Sequence, residues 1–278
     1  MVKILDGRKV QNIIAARLAV RISKFKKIPT LVIIQAGDRE DSNVYIRQKK
    51  LFGEKIGVSI VQKKFPDKVS EKAIISVIEK YNKDKNIDGI IVQLPLPKHL
   101  NRWAISGAIN PEKDVDGLTA KNVAGLLAGE KNCFVPATTR GIFELLEHYK
   151  ISATGKRVAV VGRSVLVGKP TAMALINRGA TVTVCHSKTR NLNEETKRAE
   201  ILIVAAGKPG LISKKHVSRG QIVIDVGINR LKGKLVGDVD FAGVKKIVRA
   251  ITPVPGGIGP LTVVSLFSNL LDACSRRK

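Results

Sequence analysis

The chain has 278 residues, of which 44% are apolar, and its 49 lysines and arginines against 23 aspartates and glutamates give a formal net charge of +26. This length and apolar content allow a large buried core and favour two domains over one. No apolar run approaches the length of a membrane-spanning segment, and the N-terminal residues lack the hydrophobic stretch of a signal peptide, so we expect a cytoplasmic protein that does not associate with membranes.

The cysteines, histidines and charges exclude further classes of site. The three cysteines are far apart and never in CxxC spacing, and the four histidines are equally scattered, so we expect neither a disulfide framework nor a metal site. A basic surface attracts polyanions, but the lysines are spread along the whole chain, aromatic residues make up 4%, and no base-stacking motif occurs. We therefore expect a solvated basic surface, which favours an acidic small ligand over nucleic acid.

The first hundred residues alternate between helical and strand patterns, which is typical of an α/β domain. The pattern predicts, in chain order, a helix over residues 8–24, a strand over 30–36, a helix over 42–57, a strand over 59–65 and a helix over 70–81. Ser42 can cap the second of these helices. On that helix Tyr45 and Lys49 are four residues apart and therefore share one face.

Polar residues follow the next predicted strand. The segment DGIIVQLPLP, residues 88–97, starts as a buried strand and stops at two prolines, which cannot continue a central ladder. Gln93 falls at the carboxyl end of this strand, where ligands of open α/β sheets bind. A turn-rich connection, PEKDVDGLTAKN, then carries Asp114 and Asp116. A helix predicted over residues 139–149 leads into the second half of the chain.

The second half is organised around RVAVVGRSVLVGKP, residues 157–170. Its valines suit a strand buried on both faces of a parallel sheet. Gly162 permits a sharp turn, Ser164 can cap the next helix, and Gly168 lets that helix lie close to the strand, which is how backbone N–H groups are presented to a phosphate. The spacing is GxSxxxG rather than GxGxxG, so a dinucleotide site and an ordinary strand-to-helix turn remain equally good interpretations.

The next predicted strand, residues 180–185, ends in the sequence HSKT, residues 186–189. In a dinucleotide fold an acid at this tip binds the ribose 2′-hydroxyl and favours NAD. Here the tip carries Lys188 and no acid, and Arg163 adds a second cation suited to a phosphate. The residues therefore predict that the second domain prefers NADP.

The last part of the chain predicts the rest of a doubly wound sheet. Further strands are predicted over residues 201–204, 221–226 and 247–251. The segment TPVPGGIGPLTV, residues 252–263, is rich in proline and glycine and predicts a rigid loop that other groups approach closely. A helix of about fifteen residues follows, and we expect it to cross back onto the first domain.

Taken together, these motifs resemble those of the bifunctional methylenetetrahydrofolate dehydrogenase and cyclohydrolase enzymes, the FolD family. The resemblance covers nearly the full length, in the order LDG, SNVYIRQKK, QLPLP, PEKDVDGL, VVGRSVLVGKP, CHSKT, GDV and TPVPGGIGPLT. It implies oxidation of 5,10-methylenetetrahydrofolate to the 5,10-methenyl cation with NADP, followed by hydrolysis to 10-formyltetrahydrofolate. It also implies a cytosolic homodimer that serves one-carbon metabolism and purine biosynthesis.

The resemblance assigns the folate chemistry to four residues. It implies that Lys49 is the central catalytic residue, that Tyr45 stacks on the substrate, that Gln93 orients Lys49, and that Asp116 receives the N–H donors of the pterin. A lysine shielded from water has a lowered pKa and, when neutral, tolerates the cation left by hydride loss and serves as a base. Without the resemblance, a surface lysine, a strand-end amide and an Asp-Gly turn are the ordinary interpretations. Asp114 is expected to be a loop residue.

The remaining assignments concern the cofactor and the folate loop. The resemblance assigns the pyrophosphate to Gly162, Arg163, Ser164 and Gly168, the 2′-phosphate to Ser187, the nicotinamide half to Ile228, and the loop closing over the folate to Pro255, Gly256 and Gly257. His186 and Lys188 are weaker candidates for the 2′-phosphate. The basic surface further leads to the hypothesis that folates with a polyglutamate tail are favoured.

We therefore expect a two-domain α/β protein. Residues 1–136, rejoined by the helix over 261–278, form the folate-binding catalytic domain, and residues 137–260 form a Rossmann-like NADP-binding domain, with folate in the cleft between them. Ala137 and Thr139 replace the cysteine and second proline common in the family, which leaves the start of the interdomain helix undefined. Two alternatives remain at this point: a dehydrogenase without cyclohydrolase activity, and a basic nucleic-acid-binding protein on the same fold.

Overall fold

A computed structural model describes residues 2–276. These residues form two compact units. The first comprises residues 13–137 and 263–276, and the second comprises residues 2–12 and 138–262. The strands are β1 (Lys3–Ile4), β2 (Thr30–Ala36), β3 (Ser59–Phe65), β4 (Gly89–Val92), β5 (Arg157–Val161), β6 (Thr181–Cys185), β7 (Ile201–Val204), β8 (Ile222–Asp225), β9 (Asn229–Leu231), β10 (Lys234–Val236) and β11 (Ala250–Ile251).

Helices separate most of these strands, as is typical of an α/β fold. They are α1 (Gly7–Ile22), α2 (Glu40–Ile56), α3 (Glu71–Lys83), α4 (Arg102–Gly107), α5 (Ala120–Ala128), α6 (Ala137–His148), α7 (Gly168–Ile176), α8 (Leu192–Arg198), α9 (Phe241–Val244) and α10 (Ile258–Arg276), with a 3-10 turn at Lys214–His216.

The first unit is built on a parallel sheet with the strand order β3-β2-β4. The central strand β2 is buried along nearly its whole length, because six of its seven residues are packed away from solvent. Helix α3 covers one face through Ile74 and Ile78, which share a core cluster with Val32, Ile34 and Ile90. The apolar run of β2 therefore forms the buried strand that its composition predicts. Because the three strands are parallel, their carboxyl ends lie at one edge of the sheet.

The segment after residue 110 runs alongside β4 and is held from two sides. The backbone N–H of Ile90 donates to the carbonyl of Lys113 at 2.7 Å. On the other side Asn269 of α10 donates through Nδ2 to the carbonyls of Val115 at 2.8 Å and Val135 at 3.0 Å. The C-terminal helix thereby fixes the backbone immediately before residue 116, inside the first unit.

The second unit contains a sheet with the order β1-β11-β8-β7-β5-β6, in which every pairing is parallel. After β1, the chain enters this sheet again at β5, adds β6 on one side of it, and then crosses to add β7 on the other side. This reversal is the topological switch point at which doubly wound sheets bind ligands. The predicted two-unit α/β architecture with a Rossmann-like sheet is thus confirmed.

Residues 2–12 lie in the second unit, although the sequence pattern placed them with the first. The reason is strand β1, in which Lys3 and Ile4 pair in parallel with Ala250 and Ile251. Two residues are too few to produce a period-two pattern, so nothing in the composition revealed this pairing. The second unit resumes at residue 138 and ends at 262.

Several element ends differ from the predicted ones. Ser42 is not the cap of α2, because the helix already begins at Glu40 behind Arg39, and Ser42 lies buried within it. Helix α10 begins at Ile258, so the proline- and glycine-rich loop is shorter than expected. Pro260 caused this error, because proline is tolerated in the first turn of a helix. By contrast, the start of α3 agrees with the predicted helix start at residue 70, where Ser70 caps the helix by accepting the backbone N–H of residue 73 at 3.3 Å.

Helix α10 is long and apolar enough to cross a membrane by length and composition, contrary to the expectation that no run approaches that length. However, 67% of its most apolar window is buried inside the protein. Core helices of globular proteins meet the same criterion, so this helix is weak evidence for a membrane span.

The bonds made by Asn269 predict a measurable contribution to stability. In Asn269→Ala one buried and one partly buried carbonyl lose this donor, so we expect the free energy of unfolding to fall by about 1–3 kcal/mol. Urea denaturation measures this change. Asn193→Ala, at an exposed position of α8, is the matched control and should leave the midpoint nearly unchanged. Equal midpoints for the two variants would contradict the role of Asn269.

Candidate active site and nucleotide turn

A lysine from a helix and a glutamine from a strand end meet in the first unit. Lys49 of α2 donates from Nζ to Oε1 of Gln93 at 2.9 Å. Gln93 follows β4, and its backbone N–H donates to the carbonyl of Ile34 at 2.8 Å, which extends the ladder by one residue. Its own Nε2 donates to the carbonyl of Leu94 at 2.7 Å, so the amide oxygen faces the lysine. The buried amide is held at both ends and presents one acceptor to Nζ.

Asp116 completes this cluster electrostatically. Burial lowers the pKa of Lys49, and the Asp116 carboxylate acts in the opposite direction. Burial likewise raises the pKa of Asp116, opposed by the positive charge of Lys49 and assisted by the negative charge of Asp114. Desolvation thus pushes both groups towards their neutral forms. A neutral amine next to a carboxyl group is able to take up a proton during a reaction.

The two aspartates of the DVDG sequence have different surroundings. Asp114 is buried, and its Oδ2 accepts the backbone N–H of Thr119 at 2.7 Å and Nδ2 of Asn122 at 2.9 Å. The Asp116 carboxylate accepts no hydrogen bond from the residues that the structure describes. Asp114 therefore shapes the loop, whereas the oxygens of Asp116 remain available to a ligand.

Tyr45 lies one helical turn before Lys49 on α2. Its side chain is 37% exposed, and burial together with the nearby charge of Asp41 raises the pKa of its phenol. The phenol is therefore protonated at neutral pH, and its ring offers an accessible flat face next to the lysine. An aromatic face of this kind suits a planar ligand.

The glycine turn of the second unit sits at the switch point of the sheet. Gly162 adopts a φ of +124°, which a residue with a side chain rarely adopts, and an added Cβ would overlap the carbonyl oxygen of Ala205. A Cβ on Gly168 would overlap the carbonyl of Gly162. Helix α7 begins only at Gly168, and Ser164 accepts the backbone N–H groups of Val167 at 3.2 Å and Gly168 at 3.4 Å. Both glycines are therefore required by close approach of backbone.

The tip after β6 lies at the same edge of the sheet as this turn, because β5 and β6 are parallel and Val161 pairs with Cys185. Within the tip, the backbone N–H of residue 188 donates to Nδ1 of His186 at 3.1 Å, so that ring nitrogen is occupied. The side chains of Ser187, Lys188 and Arg163 are exposed. One hydroxyl and two cations at one strand edge fit a phosphate group.

The other predicted residues lie in two loops of the second unit. Ile228 follows β8, is 40% exposed, and its Cδ1 would be 3.2 Å from a Cβ on Gly259. The loop before α10 contains Pro255, Gly256 and Gly257. Gly256 has a φ of +107°, and a Cβ on Gly257 would come within 2.5 Å of the carbonyl of Pro253. The loop is tightly folded, as its composition predicts.

Two buried aspartates near the glycine turn were missed by the sequence pattern. Asp238 accepts the backbone N–H groups of Ala206 at 2.6 Å and Gly207 at 2.8 Å, and Nδ2 of Asn229 at 2.9 Å. It therefore holds the turn after β7, against which Gly162 packs. The GDV sequence, one of the motifs that resemble the family, contains Asp238, but nothing in it indicates which backbone groups the carboxylate binds.

Asp225, at the end of β8, accepts three backbone N–H groups, those of residues 227, 238 and 239, at 3.0–3.1 Å. Burial nevertheless raises its pKa to about 7, with the three hydrogen bonds opposing and the charge of Asp238 adding to the shift. The group is thus a buried carboxyl that titrates near neutrality.

This pKa predicts a pH dependence of stability. Between the ordinary value of 3.8 and about 7 the folded state holds the Asp225 proton more tightly than the unfolded state. The free energy of unfolding should therefore fall as pH rises through this window and level off above it, by a few kcal/mol. Urea denaturation of the wild type and Asp225→Asn at pH 4.5 and 7.5 isolates the effect, because the variant lacks this titration. The exposed control Asp67→Asn should lose as much stability as the wild type between the two pH values. If Asp225→Asn also loses as much as the wild type, the prediction is refuted.

Comparison with known proteins relates this geometry to a family. Residues 5–116 match the family model for the catalytic domain of tetrahydrofolate dehydrogenase/cyclohydrolase, and residues 136–278 match the NAD(P)-binding domain of the same family. The bifunctional protein FolD of Bacillus subtilis (strain 168) is 44% identical over 277 residues, which cover 98% of each chain.

Solved structures give the same relationship. The bifunctional FolD methylenetetrahydrofolate dehydrogenase/cyclohydrolase from Campylobacter jejuni superposes with a TM-score of 0.98 at 38% identity, covering 100% of both chains. The Trypanosoma brucei dehydrogenase-cyclohydrolase, whose structure holds NADP and an inhibitor, superposes with a TM-score of 0.94 at 36% identity, covering 99% of this chain and 98% of that one.

Proposed function

From the premise that the chain belongs to the tetrahydrofolate dehydrogenase/cyclohydrolase family, we propose that it oxidises 5,10-methylenetetrahydrofolate with NADP and hydrolyses the 5,10-methenyl product to 10-formyltetrahydrofolate. The observation that carries this proposal is the Lys49–Gln93 hydrogen bond of 2.9 Å beside Asp116. The first unit supplies the folate chemistry in this proposal, and the second binds NADP.

In the oxidation step, NADP supplies the hydride acceptor. Loss of hydride leaves a positive charge on the folate, and a lysine with a lowered pKa does not repel that charge as an ammonium would. The exposed face of Tyr45 stacks on the pterin, and the Asp116 carboxylate accepts its N–H groups in a paired arrangement. These contacts orient the carbon that loses the hydride.

In the hydrolysis step, Lys49 acts as a base. The oxygen of water bonds to the methenyl carbon while Nζ takes the proton of that water. The bond from this carbon to N5 then breaks while the remaining O–H loses its proton to solvent and becomes the formyl C=O. N5 takes back the proton held by Nζ, and the formyl group stays on N10. Gln93 accepts a hydrogen bond from Nζ and thereby aims the nitrogen lone pair at the water. General base catalysis of this kind typically contributes roughly 10² to 10⁴ in rate.

The nucleotide site follows from the turn and the tip in the second unit. The turn of Gly162, Arg163, Ser164 and Gly168 receives the pyrophosphate, because Gly162 and Gly168 have no side chains and let the backbone come close there. Ser187 binds the 2′-phosphate with help from Lys188, and Ile228 packs along the nicotinamide half.

The loop of Pro255, Gly256 and Gly257 contacts the folate in this proposal. The net charge of +26 favours a folate that carries several glutamate carboxylates. The resemblance to the family further supports a homodimer in the cytoplasm that acts in one-carbon metabolism, with no role for nucleic acid or a membrane.

Replacement of the lysine tests the catalytic assignment. Lys49→Met keeps the length of the side chain but removes the base, so cyclohydrolase activity should fall roughly 10² to 10⁴-fold. NADP binding, measured by calorimetry, should stay within twofold, because the nucleotide residues are separate. Lys55→Met, at an exposed position of the same helix, is the control and should retain full activity. Normal hydrolysis by Lys49→Met would disprove the assigned role.

The nucleotide assignment predicts a change of specificity. The double variant Ser187→Ala with Lys188→Ala loses contacts that only the 2′-phosphate makes, so kcat/KM with NADP should fall roughly ten- to hundredfold. The value with NAD should change little. Arg157→Ala, at the opposite end of β5, should leave both values alone. Equal losses with the two nucleotides would show that these residues do not recognise the 2′-phosphate.

A further inference from the structure

The N-terminal LDG sequence has no role in the function proposed above, yet it touches the folate loop. Strand β1 runs beside β11, and the backbone N–H of buried Leu5 donates to the carbonyl of Ile251 at 2.9 Å. The chain then turns into α1. There the backbone N–H groups of Gly7 at 2.9 Å and Arg8 at 3.2 Å both donate to the carbonyl oxygen of Gly256. The first turn of α1 thus holds the central residue of the loop.

Gly7 is required at this contact by space rather than by backbone conformation. A Cβ at Gly7 would overlap the carbonyl oxygen of Gly257 and lie within 3.0 Å of that of Gly256. Gly7 does not adopt a positive φ, so alanine fits its backbone conformation. A single methyl group at this position would therefore act on the loop directly.

The start of α1 is itself firmly held. Asp6 caps the helix, because its Oδ1 accepts the backbone N–H groups of Arg8 at 2.8 Å and Lys9 at 3.1 Å. The backbone N–H of Asp6 donates to the hydroxyl of Tyr149 at 2.9 Å, beyond the end of α6. The strand pairing, the cap and this bond leave α1 little freedom to move away, so a methyl group would displace the loop instead.

We propose that Gly7 is a positioning residue for folate, which acts by setting the backbone of the loop at Gly256 and Gly257. This inference rests on the proposed function, in which that loop contacts folate. The residues proposed to hold the phosphates of NADP lie on other segments, the turn at Gly162 and the tip at Ser187, and Ile228, proposed for the nicotinamide half, neighbours Gly259 in helix α10. A change at Gly7 therefore affects folate selectively.

The variant Gly7→Ala tests this inference, and Gly107→Ala is its matched control. Gly107 also lies at the end of a helix, but no atom lies within 4 Å of an added Cβ. Gly7→Ala should raise the KM for 5,10-methylenetetrahydrofolate roughly tenfold or more, since small displacements of a binding group are costly. Its calorimetric Kd for NADP should stay within twofold of the wild type. Gly107→Ala should match the wild type in both.

Asp6→Ala is the second variant, because it removes the cap and leaves Gly7 small. It should raise the folate KM several-fold and spare the NADP Kd, and it keeps the inference testable when Gly7→Ala does not fold. An unchanged folate KM in the folded variants, or an equal loss of folate and NADP binding, overturns the inference. A wild type that shows no folate-dependent reduction of NADP overturns the proposed function instead, so the two failures are distinguishable.

Discussion

The hydrogen bond from Lys49 to Gln93 is the contact on which the proposed chemistry depends. It joins a helix to the end of a buried strand, so the position of the amine is set by the core of the first unit rather than by a mobile loop. Burial lowers the pKa of the amine, and Asp116 limits that effect. In the proposed mechanism, an oriented amine with a lowered pKa next to a carboxyl group serves both steps: it tolerates the cation formed by oxidation and accepts the proton released by hydrolysis.

Strong periodic patterns predicted much of the fold. The apolar runs of β2 and β7 gave the strand bounds that the structure has, because buried parallel strands need continuous apolar residues. Short elements were not predicted. Strand β1 has two residues, and its pairing with β11 moves residues 2–12 into the second unit. The prediction that Ser42 caps α2 was wrong, because the helix begins two residues earlier, at Glu40. Acidic residues are also favourable in the first turn of a helix, so the sequence fits either start.

The site residues were predicted mainly from the resemblance to the FolD family and only in small part from residue spacing and chemistry. Spacing alone put Tyr45 and Lys49 on one helix face, but nothing in it brought Gln93 or Asp116 to them. That proximity arises from the pairing of β4 with β2 and with the segment after residue 110. The buried Asp238 was missed for the same reason: its partners Ala206 and Gly207 are more than thirty residues away in sequence. Long-range contacts of this type carry no local pattern.

The most direct test of the account follows both products of the wild type in one assay. With 5,10-methylenetetrahydrofolate as substrate, the reduced nucleotide and 10-formyltetrahydrofolate are measured separately, first with NADP and then with NAD. We predict that both products form, that hydrolysis runs well above the uncatalysed rate, and that NADP is the better cofactor. NADPH formed without hydrolysis above that rate, with the methenyl compound accumulating, would contradict the claim that one site carries out both steps.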